Sequence, residues 1–231
     1  MSVPGPDPVP DHFGHRARLR QRLIDGGGDA LLDYELIEQL LALSIPRRDT
    51  KPLAKALLKE FDSIGGLLTA SPEALARVKG IGDVSIAAIK VAHAIAVRML
   101  RAEVDQRPVL ANWQALIDYL RTEMAHQPVE RVRVLHLNTR NVLIRDELIS
   151  TGSIDEAAVH VREVMRRAID FGSTALILVH NHPSGDPQPS RADIDLTRNI
   201  IEAGRRLGVT VHDHIIIGTN GHVSLRAQGL I

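Results

Sequence analysis

The sequence predicts an all-α N-terminal domain followed by an α/β domain in which helices flank a mixed sheet. Three observations point there. Apolar residues recur at helical spacing up to about residue 102, then alternate from residue 131 onward. A polar, Pro-containing stretch, residues 103–110 (EVDQRPVL), separates the two patterns and reads as a linker. Beyond it, residues 174–180 (TALILVH) form a continuous apolar run of the kind that fills a strand buried on both faces.

The elements follow in order. Residues 1–11 are Pro-rich and read as a disordered tail. A helix begins near Arg16 and breaks at Gly26-Gly27-Gly28. Residues 31–44 carry apolar side chains at helical spacing and stop at Ile45-Pro46. Thr50 is placed to cap a helix over 51–61, and 64–70 form a short helix or turn. Ser71-Pro72-Glu73 is a helix-start signal with Pro at the first helical position. Lys79-Gly80-Ile81-Gly82 interrupts the pattern before a long helix at about 84–102. After a helix at about 111–125, strands at 131–138 and 142–150 are joined by Thr139-Arg140-Asn141 as a hairpin. A helix over 155–171, the apolar strand, a helix over 190–207 ending near Gly208, and strands at 209–217 and 222–226 complete the chain. The expected organisation is a tail at 1–11, a helical domain at 12–102, a linker at 103–110 and an α/β domain at 111–231.

Composition narrows the chemistry. Of 231 residues 44% are hydrophobic but only 3% aromatic, so a sizeable core must be built from Leu, Ile, Val and Ala. Cysteine is absent, which excludes disulfides, thiolate metal sites and Cys nucleophiles and suits a reducing cytoplasm. Lys and Arg number 28 against 28 Asp and Glu, so there is no bulk basic excess for nucleic acid. Three of the 11 histidines precede residue 107 and eight follow it, which directs attention to the second half for metal chemistry. The first ten residues lack the apolar run of a signal peptide, and no stretch reaches the ~18 apolar residues of a membrane span, so no membrane partner is expected.

The most informative stretch is His180-Asn181-His182-Pro183, then six residues, then Ser190-x-x-Asp193. Residues i and i+2 of a strand share a face, so His180 and His182 can reach one metal ion together. Pro183 ends the strand, and a loop with Gly185, Pro187 and Pro189 can turn back so that Asp193, in the first turn of the next helix, faces them. Two imidazoles and a carboxylate leave one position open, the arrangement of a catalytic zinc site. Ser190-x-x-Asp193 is equally a helix capping box, and the spacing alone leaves both readings standing. His212 and His214 form a second His-x-His inside a strand and read as packing or supporting contacts. A general base must come from elsewhere. Glu130 opens a strand whose even positions are Val132, Val134 and His136, and it is preferred to Glu147, which shares a face with Arg145 and reads as solvated.

This motif resembles that of JAMM (MPN-type) metalloproteases, and the longer strings HNHPSGDPQPSRADIDLT and VHDHIIIG resemble their RadC-like branch. The resemblance extends to GHRARLRQRL, DYELIEQLLALSIPRRDTKPLAKALL and VKGIGDVSIAAIK, and so covers about residues 12–231. It implies a cytidine deaminase-like fold for the second domain. It also implies Zn2+ on His180, His182 and Asp193, with Ser190 stabilising an oxyanion and Glu130 as base. The implied activity is that of a metallopeptidase or isopeptidase acting on a protein or peptide substrate. Val161 stands where the family pattern has Pro.

Gly80-Ile81-Gly82 between two helices resembles a helix-hairpin-helix, whose backbone N–H groups approach phosphates without reading sequence. Lys79, Gly80 and Gly82 are therefore candidate DNA contacts, with Arg16–Arg22 and Arg47-Arg48-Lys51 as possible supplements, although Asp83 beside the turn would repel a phosphate. The same segment read without DNA is a packing device in a helical bundle. The alternative function is that of a DNA-associated repair or recombination protein, including a metal-dependent nuclease.

Overall fold

The structure, a computed structural model, describes residues 14–105, 107–152 and 159–231. The expected tail at 1–11 and the first residues of the helix expected from 155 lie outside them. The chain divides into two compact units, Met1–His93 and Ala94–Ile231.

The first unit is helical: α1 (His15–Gly26), α2 (Asp33–Ser44), α3 (Lys51–Phe61), α4 (Ile64–Thr69), α5 (Pro72–Ala76) and the opening turns of α6 (Asp83–Asp105). Pairs four residues apart, Ile37 with Leu41 and Leu53 with Leu57, stack on one face of their helices and bury against Leu67, Leu75 and Ile89. Ser63 and Ser71 cap α4 and α5 by accepting from Gly66 N and Ala74 N. Thr50 does not cap α3. Its hydroxyl donates to the Glu38 carbonyl at 3.2 Å, and the Asp49 carboxylate takes the Lys51 amide instead.

The described residues on both sides of position 106 in the segment expected as a linker are structured. Residues 103–105 continue α6, and Val104 and Val109 are both buried in the core of the second unit. Two apolar side chains in a polar stretch are enough to anchor it.

The second unit contains α7 (Trp113–Met124), β1 (Arg131–Leu137), β2 (Leu143–Thr151), α8 (Val161–Asp170), β3 (Ala175–Asn181), α9 (Arg191–Leu207), β4 (Thr210–Gly218) and β5 (Gly221–Ser224). The sheet order is β2-β1-β3-β4-β5, with β3 and β4 parallel and the other neighbours antiparallel. Every residue of β3 is buried. Ala175, Ile177 and Val179 pack with α7, whereas Leu176 and Leu178 pack with Val164, Met165 and Ala168 of α8 and Ile200 of α9. By the same alternation His180 emerges on the α9 side and Asn181 on the α7 side. Val161 occupies the first position of α8, where Pro is tolerated but not required, so this departure leaves the helix intact. No helix among the described residues is long and apolar enough to cross a membrane.

His136 lies on the α9-side face of β1, fully buried. Its Nδ1 is 2.9 Å from Ser173 Oγ, its Nε2 is 3.5 Å from Glu147 Oε2, and the Phe171 ring stands edge-on to it. Burial holds its pKa down at about 4; Asp146 opposes the shift, while Arg145 and Arg167 reinforce it. The unfolded chain, with histidine near its ordinary value of about 6.5, then binds the proton first. His136 should contribute stability in full above about pH 6.5 and lose it progressively down to pH 4. Urea denaturation of the protein and of His136→Gln across this range should show the wild-type advantage shrinking as pH falls; a pH-independent gap would contradict the assignment.

Candidate metal centre

His180 is the penultimate residue of β3 and is fully buried. The strand path continues one residue past Asn181, because the His182 amide donates to the Ile217 carbonyl at 2.9 Å. His182 therefore shares His180's face. Gly185, at φ +86, turns the loop after Pro183; a Cβ there would lie 2.4 Å from Thr219 Oγ1. The loop delivers Ser190 as the cap of α9 and Asp193 in its first turn.

The three candidate ligands converge. His180 Nε2 lies 2.9 Å from His182 Nε2 and 3.4 Å from Asp193 Oδ1, and His182 Nε2 lies 3.8 Å from Asp193 Oδ2. One donor atom from each falls within 4.8 Å of the others. The two readings of Asp193 divide between its oxygens. Oδ2 accepts from the Ser190 amide and hydroxyl, both at 2.7 Å, while Ser190 Oγ accepts from the Asp193 amide at 3.2 Å. This is the capping box. Oδ1 is buried, has no hydrogen-bond donor among the described residues, and lies on the His180 side, 3.4 Å from its Nε2.

The donor set fits a cation. His182 Nδ1 lies 2.8 Å from the Asp186 carbonyl, which can only accept, so Nδ1 carries the hydrogen and Nε2 faces the cluster. Burial holds His180 down at about 4 against the pull of Asp193, with His182 adding to the depression. A neutral imidazole is the form that binds metal. A carboxylate oxygen without a donor beside two imidazole nitrogens leaves like partial charges facing one another, an arrangement that a divalent metal ion relieves.

The other predicted residues are distributed as follows. Ser190 is exposed at the rim of the cluster. Glu130 is half-buried just before β1, and its carbonyl accepts from Gly152 N at 2.9 Å. The pairing of β1 with β3 ends at Val132–His180, so Glu130 lies two residues beyond the last pair, on the side of the sheet end where His182 follows β3. Glu147 is not a solvated partner of Arg145. It is largely covered, pairing with Arg167 at 3.3 Å, while Arg145 lies over the Phe171 ring. Lys79, Gly80 and Gly82 occupy the α5–α6 turn of the first unit, where Gly80 has φ +101 and a Cβ would lie 2.7 Å from the Arg48 guanidinium.

Two further residues support the cluster: His214, of the second His-x-His, and Asn181, between the two candidate ligands. His214 Nε2 lies 2.8 Å from His180 Nδ1 and, fully buried, is held well below the usual imidazole range by desolvation. Asn181, between the histidines, points the other way. Its Oδ1 accepts from Arg131 N at 2.9 Å and its Nδ2 donates to the carbonyls of Val129 at 3.3 Å and Gln127 at 3.4 Å. It thereby holds the backbone on both sides of Glu130. A polar residue at a core-facing parity was the available signal.

Replacing Asn181 by Ala strands a buried amide and its carbonyl partners. The expected loss is about 1–3 kcal/mol of unfolding free energy, read by chemical denaturation. A change of a few tenths would show that the strap is dispensable.

Comparison with known proteins places this arrangement. A family model described as a RadC-like JAB domain matches residues 110–230, and one described as UPF0758 N-terminal matches residues 12–87. The chain is 51% identical over 217 residues to a UPF0758 protein of Ruegeria pomeroyi, covering 94% of this chain and 97% of that one. It is 49% identical over 213 residues to a UPF0758 protein of Rhodobacter capsulatus, covering 92% and 100% of the two. A His-His-Asp cluster at the end of the central strand of a mixed sheet, inside a match that spans half the chain, shows that this protein belongs to the RadC-like JAB-domain family, with the UPF0758 proteins as its relatives.

Proposed function

We propose that the protein is a zinc-dependent hydrolase of the JAMM type, cleaving an amide or isopeptide bond in a protein or peptide substrate. The observation that carries the proposal is the buried Asp193 Oδ1, which has no donor among the described residues and lies 3.4 Å from His180 Nε2, itself 2.9 Å from His182 Nε2. His180 Nε2, His182 Nε2 and Asp193 Oδ1 would hold the ion. Zinc bound there supplies Lewis acidity, which polarises a carbonyl and lowers the pKa of water toward about 7.

The chain's own groups do the rest. Glu130, two residues before the Val132–His180 pair, would take a proton from the attacking water and return it to the leaving amine. The Ser190 hydroxyl now donates to Asp193 Oδ2; rotated outward, it donates to the oxygen of a substrate carbonyl as negative charge develops. Asp186 orients His182 through its carbonyl, and the α9 cap holds Asp193 in place.

Metal analysis of purified protein should find about one zinc per chain and little in His182→Ala; full zinc retention in that variant would overturn the ligand assignment. Glu130→Gln should keep the metal and lose about 10²–10⁴-fold in hydrolysis of peptide and isopeptide substrates. Undiminished turnover would remove Glu130 from the mechanism.

A second reading, association with DNA, draws on the first unit. There Arg48, distant in sequence, packs its guanidinium against Gly80 and brings a second cation to the turn that carries the exposed Lys79. Gly80 and Gly82 add no side chains to that turn, and Ile81 between them packs inward on the core of the first unit. A gel-shift assay with the full chain should show binding that weakens steeply with salt and is reduced in the Arg48→Ala, Lys79→Ala double variant. No shift at low salt would end this reading.

A further inference from the structure

A chain of hydrogen bonds runs from the buried side of His180 back to the backbone of Asp193. His180 Nδ1 lies 2.8 Å from His214 Nε2, His214 Nδ1 lies 2.6 Å from Thr197 Oγ1, and Thr197 Oγ1 lies 2.5 Å from the Asp193 carbonyl oxygen. His180, His214 and Thr197 are all buried, so water does not compete for these contacts.

The order of donors follows from its last member. A carbonyl oxygen only accepts, and a hydroxyl has one hydrogen. Thr197 must therefore give that hydrogen to Asp193 O, four residues back in α9, and present a lone pair to His214. His214 Nδ1 is then the N–H. Neither ring partner of His214 is a carboxylate that would favour a second ring proton, so its Nε2 accepts. His180 Nδ1 is the donor to it, and the His180 lone pair is left at Nε2. That nitrogen is the one 3.4 Å from Asp193 Oδ1.

We infer that Thr197 and His214 are positioning residues that lock His180 in its Nδ1–H tautomer, with the Nε2 lone pair turned toward the candidate metal. The inference takes its purpose from the proposed zinc site, but the hydrogen-bond order stands without it. The opposite tautomer would put a hydrogen on Nε2, in the 2.9 Å gap to His182 Nε2, and block the site. The chain begins at one candidate ligand and ends on the backbone of another, so it couples the tautomer of His180 to the placement of Asp193. His214 reaches His180 only because β4 is irregular. The pairs Leu176–Val211 and Ile177–Asp213 skip His212, and this shift brings His214 onto the face of Leu178 and His180.

The test is made on the full-length, metal-free chain with ¹⁵N-labelled histidine. Long-range ¹H–¹⁵N correlation spectra distinguish a ring nitrogen that bears hydrogen from one that does not. His180 and His214 should both be Nδ1–H. Thr197→Val, which keeps the shape and removes the acceptor, should mix or invert both tautomers and weaken zinc binding by about 10–100-fold in chelator competition. Thr197→Ser should restore both. A hydrogen on His180 Nε2 in the wild type overturns the inference, as does Thr197→Val with unchanged tautomers and affinity. If Thr197→Val does not fold, the wild-type spectrum decides alone. A wild-type chain that binds no zinc yet shows Nδ1–H at both histidines overturns the proposed function and supports the tautomer lock.

Discussion

The site depends on the burial of β3 on both faces. A strand covered on one side only would have one face to commit, but this one sends successive side chains into two separate cores. At its carboxyl end the same alternation delivers different chemistry to each side. His180 and His182 go toward α9, and Asn181 goes toward α7 and ties down the segment carrying Glu130. Three consecutive residues thus set two candidate ligands and the path of the candidate base. A register slip of one residue would exchange the two sets.

Asp193 shows how a helix cap leaves room for a candidate ligand atom in one carboxylate. Oδ2 takes two hydrogen bonds from Ser190, and these fix the rotamer that aims Oδ1 inward. The first turn of a helix favours the negative charge. Without Ser190 the carboxylate would keep its position in sequence and lose its direction. A capping box therefore need not compete with the proposed ligation: it supplies the orientation that ligation would need.

Much of this was legible in the sequence. Alternation located β1 and β3, Ser-Pro-Glu located α5, and strand parity paired His180 with His182, while spacing left Asp193 between cap and ligand and the family resemblance joined it to the histidines. Other features were not legible, for identifiable reasons. The β4 irregularity turns on a single skipped residue, and plain alternation sends His214 to the wrong face. The polar text of residues 103–110 hid two buried valines, because composition averages over side chains while packing selects individual ones. Thr50 has the right type for a cap, but a nearby carbonyl in the folded chain takes its hydroxyl. Glu147 reads as a surface charge until α8 brings Arg167 over it. Each miss is a tertiary contact that overrides a local preference.

The same contacts make the cluster unfavourable when it is empty. A buried imidazole, a half-buried one and a carboxylate oxygen without a donor among the described residues lie together, and an unsatisfied buried polar group costs about 1–3 kcal/mol, more when charged. The fold tolerates this because β3 and α9 are each held by packing remote from the cluster: Leu176 and Leu178 on the strand, Ile200 on the helix. A ligand that binds only the folded chain stabilises it by RT ln(1 + [L]/Kd), about 4 kcal/mol at a thousandfold excess over Kd. That gain is of the same order as the penalty for keeping Oδ1 dry and unpaired. A geometry that looks unfavourable when considered by itself is therefore what the proposed cation site would require.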